Sequence, residues 1–553
     1  MWETLIQPAV EQAALYRANG WWRDPTFLDD LARAVDRSPD RAAIIAYQGS
    51  EHARTLSYAQ LAGTVARFAG ALTELGVGRG DVVAIHLPNQ WMLTPLYLAC
   101  VRIGAVVAPI IPALGARELG QVLRRTAAKV CFAPDVFDGV DYVTRVAEAA
   151  PPTLEHHVVV GTPPPGALDF TTFFVDTPWE ERHPLTGVEP LRADDVSLLL
   201  VTSGTTGEPK AVAHTQNTLY AAVRTVSEPY RLGADEVIAI PHYLTHMAGF
   251  SYAVHMPLLL GGTCVMQDTA DMALFRDLIA EHGVTFGYAA PLYVAGLLAA
   301  QGNDPKDLRT LRYLLSGSAP IPPDLVTEVR EALGVELGAL WGMTENGAVT
   351  LTRPEDPAGW AADSDGRPEP WMQVRIDAEP GGDLGRLLVR GASQTVGYLD
   401  QADVYAAQTD ADGWFDTGDM ARPDGRGGIR ITGRRADLIT TRQAAKVPTL
   451  EVEGVLTRHP AVREVVLIGY PDPDFPSADC VCAVVVADGE PPTLEQLTTF
   501  LDGARMTWEN WPVRLELVPE LPKNSLGKVL RPILRARLED GTLGPVGAAG
   551  GSA

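Results

Sequence analysis

The chain has 553 residues, with 45 Lys plus Arg against 69 Asp plus Glu, a formal net charge of −24. Hydrophobic residues make up 46% and charged residues 21%, which excludes wholesale disorder, and the length predicts several packed units. The acidic balance speaks against binding of nucleic acid or of an anionic membrane, but not against a local pocket for a small anion. Lysine occurs only at 129, 210, 306, 446, 523 and 528. The five cysteines (100, 131, 264, 480 and 482) include no CxxC, a pattern that predicts reduced thiols in a cytoplasmic protein. Cys480 and Cys482 alternate along one strand and read as core or half-exposed thiols, not a metal site. No basic region precedes an apolar run at the start, so no signal peptide is expected. The apolar tract 81–114 is broken by His86, Asn89, Gln90, Arg102 and prolines, as a buried α/β segment would be and a membrane span would not.

In chain order, residues 55–76 read as an amphipathic helix ending at Gly76. A strand (DVVAIHLPN), a helix (WMLTPLYLACVRIG) and another strand (AVVAPI) follow, and the alternation continues through AAKVCFAPD. This predicts an α/β fold with parallel-rich sheets flanked by helices. The segment 151–166, with PP and PPP, reads as a surface connection. After about 380 the texture becomes short strands and turns (GRLLVRG, GWFDTGD, GGIRITGR), a β-rich subdomain. From 437 a compact α+β pattern runs to 540, and 541–553 read as a flexible tail. GVGRGD at 76–81 lies between a helix and a strand, the reverse of the dinucleotide-binding order, and reads as a helix end and turn. HYLTH places His242 and His246 four apart without the HExxH glutamate, and Pro241 favours a loop over a zinc helix.

The segment LLLVTSGTTGEPKAVAHT at 198–215 carries the chemistry. A buried strand enters a run of hydroxyls and glycines (Thr202, Ser203, Gly204, Thr205, Thr206, Gly207) that can wrap donors around phosphate oxygens, with Lys210 adding a cation. Pro209 before the lysine, and no GK[ST], exclude a Walker A loop. With five further segments in order, the chain resembles the adenylate-forming superfamily of acyl-CoA synthetases, peptide-synthetase adenylation domains and luciferases over nearly its whole length. SGSAP (316–320) resembles the adenine-contacting turn and WGMTENG (341–347) the Y-G-x-T-E motif, with Trp341 for tyrosine. GWFDTGD (413–419) resembles the ribose-holding segment. GRRAD (433–437) is similar to the hinge motif and PKNSLGKVLR (522–531) to the lysine loop.

The resemblance implies a large N-terminal domain (1–436, with the β-rich subdomain at about 380–436) and a small mobile C-terminal domain (437–540) turning about Asp437. It implies attack of a carboxylate on the ATP α-phosphate, loss of pyrophosphate, and capture of the acyl-adenylate by a nucleophile, CoA first among the candidates. Lys528 resembles the mobile catalytic lysine, Thr344 a donor to the α-phosphate, and Glu345 a Mg²⁺ ligand. Gly317, Ser318, Ala319, Trp341 and Gly342 would surround the adenine, Asp419 would hold the ribose, and Arg434 would brace the ribose or the phosphates. By similarity of position the acyl pocket is expected at Tyr243, His246, Gly249, Phe250, Tyr288, Gly317 and Gly347, with His246 as the gate. Its aromatic, polar-tipped lining favours a small aryl or short branched carboxylate. Gln443 and Ala444 stand where the family has glycines beside the CoA passage, and Lys446 replaces a polar residue there. An amine, a carrier-protein thiol, or nitrite with an aryl amine as in ATP-dependent diazotases therefore stays open as acceptor. The resemblance implies a monomer or a homodimer.

Overall fold

The computed structural model describes residues 2, 5, 9–202, 209–442, 446–475, 478–523 and 529–543. It divides into two compact units, one of residues 1–373 and 390–415, the other of 374–389 and 416–553. Both are mixed α/β.

Two sheets build the first unit. Among the described residues, one runs in the order Lys210–Thr215, Val196–Thr202, Val106–Pro109, Val82–Ile85, Val130–Pro134, His156–Val160, Leu168–Asp169. All its pairings are parallel except the hairpin of Val196–Thr202 with Lys210–Thr215. The other sheet has a parallel interior of Leu337–Met343, Tyr313–Ser316, Phe286–Tyr288, Val237–Ala239, Thr263–Gln267 and Ala42–Gln48, with antiparallel pairs at its two ends. Strands buried on both faces need unbroken apolar runs, and Val82–Ile85, Val106–Pro109 and Val130–Pro134 are buried at every position. The helices Tyr58–Glu74, Leu93–Ile103 and Gln216–Ser227 share one core with strands of both sheets. Leu93–Ile103 is buried along nearly its whole length, as an apolar run without a polar face must be. Each fully buried Leu or Phe here, Leu96 or Phe68 for example, contributes about 1.5–3 kcal/mol of transfer free energy.

Three boundaries differ from the sequence reading. The helix expected over 55–76 spans Tyr58–Glu74, because Ser57 and Gln60 form a capping box and residues up to Ser57 pair in a strand. The expected surface connection 151–166 contains the strand His156–Val160, whose Val158 and Val159 are buried between the two proline clusters. The expected tail is ordered through Leu543, which is buried and donates its N–H to Arg537 O at 3.0 Å, while 544–553 lie outside the described residues. Gly76 closes its helix with φ +71° as read.

The second unit holds the sheet Met372–Ala378, Gly385–Gly391, Phe415–Pro423, Ile429–Arg434 for most of its length. It also holds a three-stranded sheet (Val462–Pro471, Asp479–Ala487, Arg514–Leu517) with the helices Thr449–Leu456, Leu494–Gly503 and Arg531–Glu539. The β-rich segment expected within 1–436 thus groups largely with the C-terminal unit. Helix Thr449–Leu456 is the reason: Glu451 pairs with Arg422 at 3.5 Å, and Thr449 Oγ1 would lie 3.0 Å from a Cβ at Gly433. The expected thiols are free, Cys482 buried and Cys480 half-buried.

Buried ionic groups tie this unit together. Arg531 Nη2 donates to both oxygens of Glu453 at 2.8 Å, Glu453 Oε1 also accepts from Leu467 N at 2.7 Å, and Arg531 Nη1 stands 3.8 Å from Asp437. Removing one partner of such a pair strands a buried charge, whereas the exposed Arg422–Glu451 pair is worth little. Glu453→Ala is expected to destabilise the C-terminal unit by about 3–5 kcal/mol and Arg422→Ala by about 1 kcal/mol or less, read from chemical denaturation.

Candidate active site

In the first unit the expected residues collect at the carboxyl ends of the parallel strands, where open α/β sheets place ligands. Tyr288 ends its strand, Gly317 follows Ser316 at the end of the next, and Trp341 and Gly342 close the third. Gly317 has no room for a side chain: a Cβ would lie 2.2 Å from Leu340 O and 3.0 Å from Tyr288 Oη. Ser318 turns the chain with φ +67°, a conformation costly for serine, and its hydroxyl meets Tyr288 Oη at 2.9 Å. Ala319 is exposed beside it. Trp341 stands across from Thr350 in the hairpin of Leu337–Met343 with Gly347–Leu351, and Gly342 across from Ala348. Thr344 and Glu345 occupy the turn of that hairpin. Gly347 leaves it with φ +60°, where a Cβ would lie 2.5 Å from Ala222 Cβ.

The turn is held from both sides. His214 Nε2 lies 2.7 Å from Thr344 O and its Nδ1 3.0 Å from Thr218 Oγ1. Burial lowers this imidazole to about 4, so it is neutral at pH 7, and the carbonyl partner assigns the proton to Nε2. Thr395 N donates to Glu345 O at 2.7 Å. Tyr398 Oη then donates to Glu345 Oε1 at 2.8 Å, and burial together with that carboxylate pushes the phenol far above its ordinary value. Tyr398 is itself fixed by the main chain, since Ala213 N bonds Gly397 O and Leu399 N bonds Ala211 O, both at 2.9 Å.

Lys210 faces Thr202 in the strand pair that flanks residues 203–208. Its Nζ donates to Gln408 Oε1 at 3.1 Å and lies 4.7 Å from the Tyr398 ring centroid. Burial pulls its pKa down while Glu345 pulls it up. The structure therefore brings Lys210, Thr344 and Glu345 into one neighbourhood. The sequence reading missed His214, Tyr398 and Gln408. His214 sat in plain view inside AVAHT, but nothing local marked Tyr398 or Gln408, which reach the site from a segment more than 50 residues beyond the turn.

His242 and His246 lie in a loop and not on a common helix. His242 Nε2 accepts from Ala290 N at 2.7 Å, and His246 caps the short helix Met247–Gly249. Burial lowers both, His242 to about 3 with His246 adding to the effect. Among the described residues no group of three His, Cys, Asp or Glu is placed to hold a metal ion. The Tyr288 ring is tilted against those of His242 and Tyr252, each at 5.3 Å, and burial raises its hydroxyl to about 12. Tyr243 is half-buried. Phe250 is fully buried, its ring edge-on to Tyr97 at 5.2 Å, which places it in the core. A Mg²⁺ fits Glu345 as one hard oxygen donor, with nucleotide phosphates and water needed to complete its shell.

In the second unit Asp419 and Arg434 are cross-strand partners, with Arg434 Nε 2.8 Å from Asp419 Oδ1. Thr417 Oγ1 accepts from Asp419 N at 3.0 Å and donates to Leu387 O at 2.8 Å, which fixes the turn before the carboxylate. Asp437 ends the turn Arg435–Asp437 beside Arg531. Ser203, Gly204, Thr205, Thr206, Gly207, Gln443, Ala444 and Lys528 lie outside the described residues. Among the described residues no helix is long and apolar enough to cross a membrane.

The AMP-binding enzyme family model matches residues 31–399, and that of the AMP-binding enzyme C-terminal domain residues 451–528. A 3-[(3aS,4S,7aS)-7a-methyl-1,5-dioxo-octahydro-1H-inden-4-yl]propanoyl:CoA ligase of Mycobacterium tuberculosis (strain ATCC 25618 / H37Rv) is 34% identical over 92% of this chain and 98% of its own length. The salicyl-AMP ligase / salicyl-S-ArCP synthetase of the same organism is 32% identical over 94% and 92%. The crystal structure of the anthranilate CoA ligase AuaEII in complex with anthranoyl-AMP superposes with a TM-score of 0.82 at 25% identity, covering 94% of this chain and 98% of that one. The chain belongs to the AMP-binding enzyme family within the adenylate-forming superfamily, as an AMP-forming ligase that uses ATP to activate a small-molecule carboxylate as its acyl-adenylate.

Proposed function

We propose that this ligase activates a small aryl carboxylate and passes the acyl group to the thiol of CoA. The observation that carries the substrate reading is the lining itself. Tyr243, His246, Tyr288 and their neighbours His242 and Tyr252 are flat and polar-tipped, and burial keeps both imidazoles neutral. The sequence places no Asp, Glu, Arg or Lys within 242–252 or 286–291 to hold an α-amino group or a second carboxylate, and burial, with the charge of Asp138 adding to it, raises the Tyr243 hydroxyl. Salicylate and anthranilate ligases among the relatives support the same class.

In this reading Lys210 and Thr344 meet the ATP phosphates, and Trp341 with 317–319 flanks the adenine. Asp419 and Arg434 hold the ribose. Lys528 would bridge the attacking carboxylate oxygen and the α-phosphate, and Glu345 would hold Mg²⁺, which would supply positive charge beside the phosphates. Cations and donors fixed in advance where negative charge develops supply most of such a rate enhancement. Turning about Asp437 withdraws Lys528 after adenylation and admits the acceptor. A carrier-protein thiol is the second reading, favoured by the salicyl-S-ArCP synthetase at 32% identity and by the side chains at Gln443 and Ala444.

Pyrophosphate exchange into ATP is expected with salicylate, anthranilate or a substituted benzoate. It is not expected with free amino acids, dicarboxylates or dodecanoate, and the nucleotide product is AMP, not ADP. Lys528→Ala is expected to slow exchange about 100-fold or more while ATP still binds. Restoring glycine at both Gln443 and Ala444 is expected to speed thioester formation with CoA several-fold at unchanged exchange rate. Thioester formation on a carrier protein but never on CoA would move the assignment to the second reading. AMP release driven only by nitrite with an aryl amine would overturn both.

A further inference from the structure

Gln408, like Tyr398, is a member of the phosphate-facing cluster to which no motif points. Its Oε1 accepts from Lys210 Nζ at 3.1 Å and lies 2.9 Å from Tyr398 Oη, which in turn lies 2.8 Å from Glu345 Oε1. A cation and a carboxylate are thus joined through two neutral side chains. The proton count in this chain does not close. Tyr398 has one hydroxyl proton, and Glu345 Oε1 and Gln408 Oε1 are both acceptors. An ionised carboxylate is the stronger acceptor, so the proton goes to Glu345 and leaves the Tyr398 and Gln408 oxygens facing each other. Rotating the amide would present Nε2–H to Tyr398 and complete the chain, but it would also aim an NH₂ at the Lys210 ammonium. The amide orientation is therefore set by whether Lys210 is present.

We propose that Gln408 is a positioning residue that parks Lys210 near Glu345 without letting the two pair directly, and releases it to the incoming triphosphate by rotation of its amide. When Lys210 moves to phosphate, Gln408 is free to turn and donate to Tyr398 Oη, which closes the proton count. Without Gln408 the shortest route for the half-buried ammonium is onto Glu345 itself. That ion pair would then have to break at each nucleotide binding, which lowers affinity without touching the reacting atoms. The inference rests on the reading of Lys210 as a phosphate-binding cation.

The test is calorimetric binding of α,β-methylene-ATP with Mg²⁺ to the full chain and to Gln408→Leu, Lys210→Ala and the double variant, at matched thermal unfolding midpoints. Gln408→Leu is expected to weaken binding about threefold to tenfold and Lys210→Ala more than tenfold. In the Lys210→Ala background the Gln408 change is expected to have no further effect, because the two act as one unit. Gln408→Asn, which keeps the amide on a shorter stem, is expected to recover part of the loss. Equal weakening by Gln408→Leu in both backgrounds would show a packing role and overturn the inference. Normal binding by Gln408→Leu with weakened Lys210→Ala would overturn the inference alone, and normal binding by Lys210→Ala would overturn the reading of Lys210 as well.

Discussion

A site for a polyphosphate must hold a cation and a metal-binding carboxylate close together and still keep them apart. In this chain the constraint is met by residues 395–399. Their backbone is bonded on one side to the strand Lys210–Thr215 and on the other to Glu345, so Tyr398 is delivered between lysine and carboxylate. His214, on the same strand, holds the neighbouring peptide through Thr344 O. The hairpin turn Thr344–Glu345, exposed on its own to the entropy of any short loop, is in this way fixed before a ligand arrives. Preorganisation of that kind lets charges act at full strength in a partly buried site.

Much of this was legible in the sequence because it is local. Buried strands need apolar runs and helices need caps, so the α/β alternation could be read directly from residues 80–140, where strands and helices are short and well punctuated. The chemistry was legible for the same reason. TSGTTGEPK, WGMTENG and GWFDTGD each concentrate several functional groups in one short segment. What escaped is what depends on distant pairing. Nothing near Gln408 or Tyr398 announces Lys210, because their contact is created by the strand arrangement, about 190 residues away in sequence. The strand His156–Val160 was hidden by its flanking prolines, whose turn-forming habit outweighed two buried valines. The grouping of 374–389 and 416–436 with the C-terminal unit was likewise out of reach, since it depends on how helix Thr449–Leu456 packs on that sheet.

The net charge of −24 takes on a different meaning against this structure. An acidic protein that handles ATP must concentrate its cations. Lys210 is half-buried, and burial lowers its pKa while the charge of Glu345 offsets part of that pull. Arg434 is matched to Asp419 across one strand pair, and Arg531 to Glu453 and Asp437 within the same unit. For both arginines an acidic partner holds the cation in place, and for Lys210 the Gln408 amide does. The surplus of Asp and Glu excludes polyanions from the surface at large while leaving these few pockets receptive.

The central claim is that a carboxylate oxygen attacks the α-phosphate of ATP. A single-turnover reaction with an aryl acid carrying heavy oxygen in its carboxyl group, followed by mass spectrometry of the nucleotide after acyl transfer to a thiol, tests it directly. The account predicts AMP that carries one heavy oxygen from the acid, because the P–O bond formed in adenylation is kept while transfer to the thiol breaks the acyl C–O bond. Unlabelled AMP, or label-free ADP as the product, would contradict it.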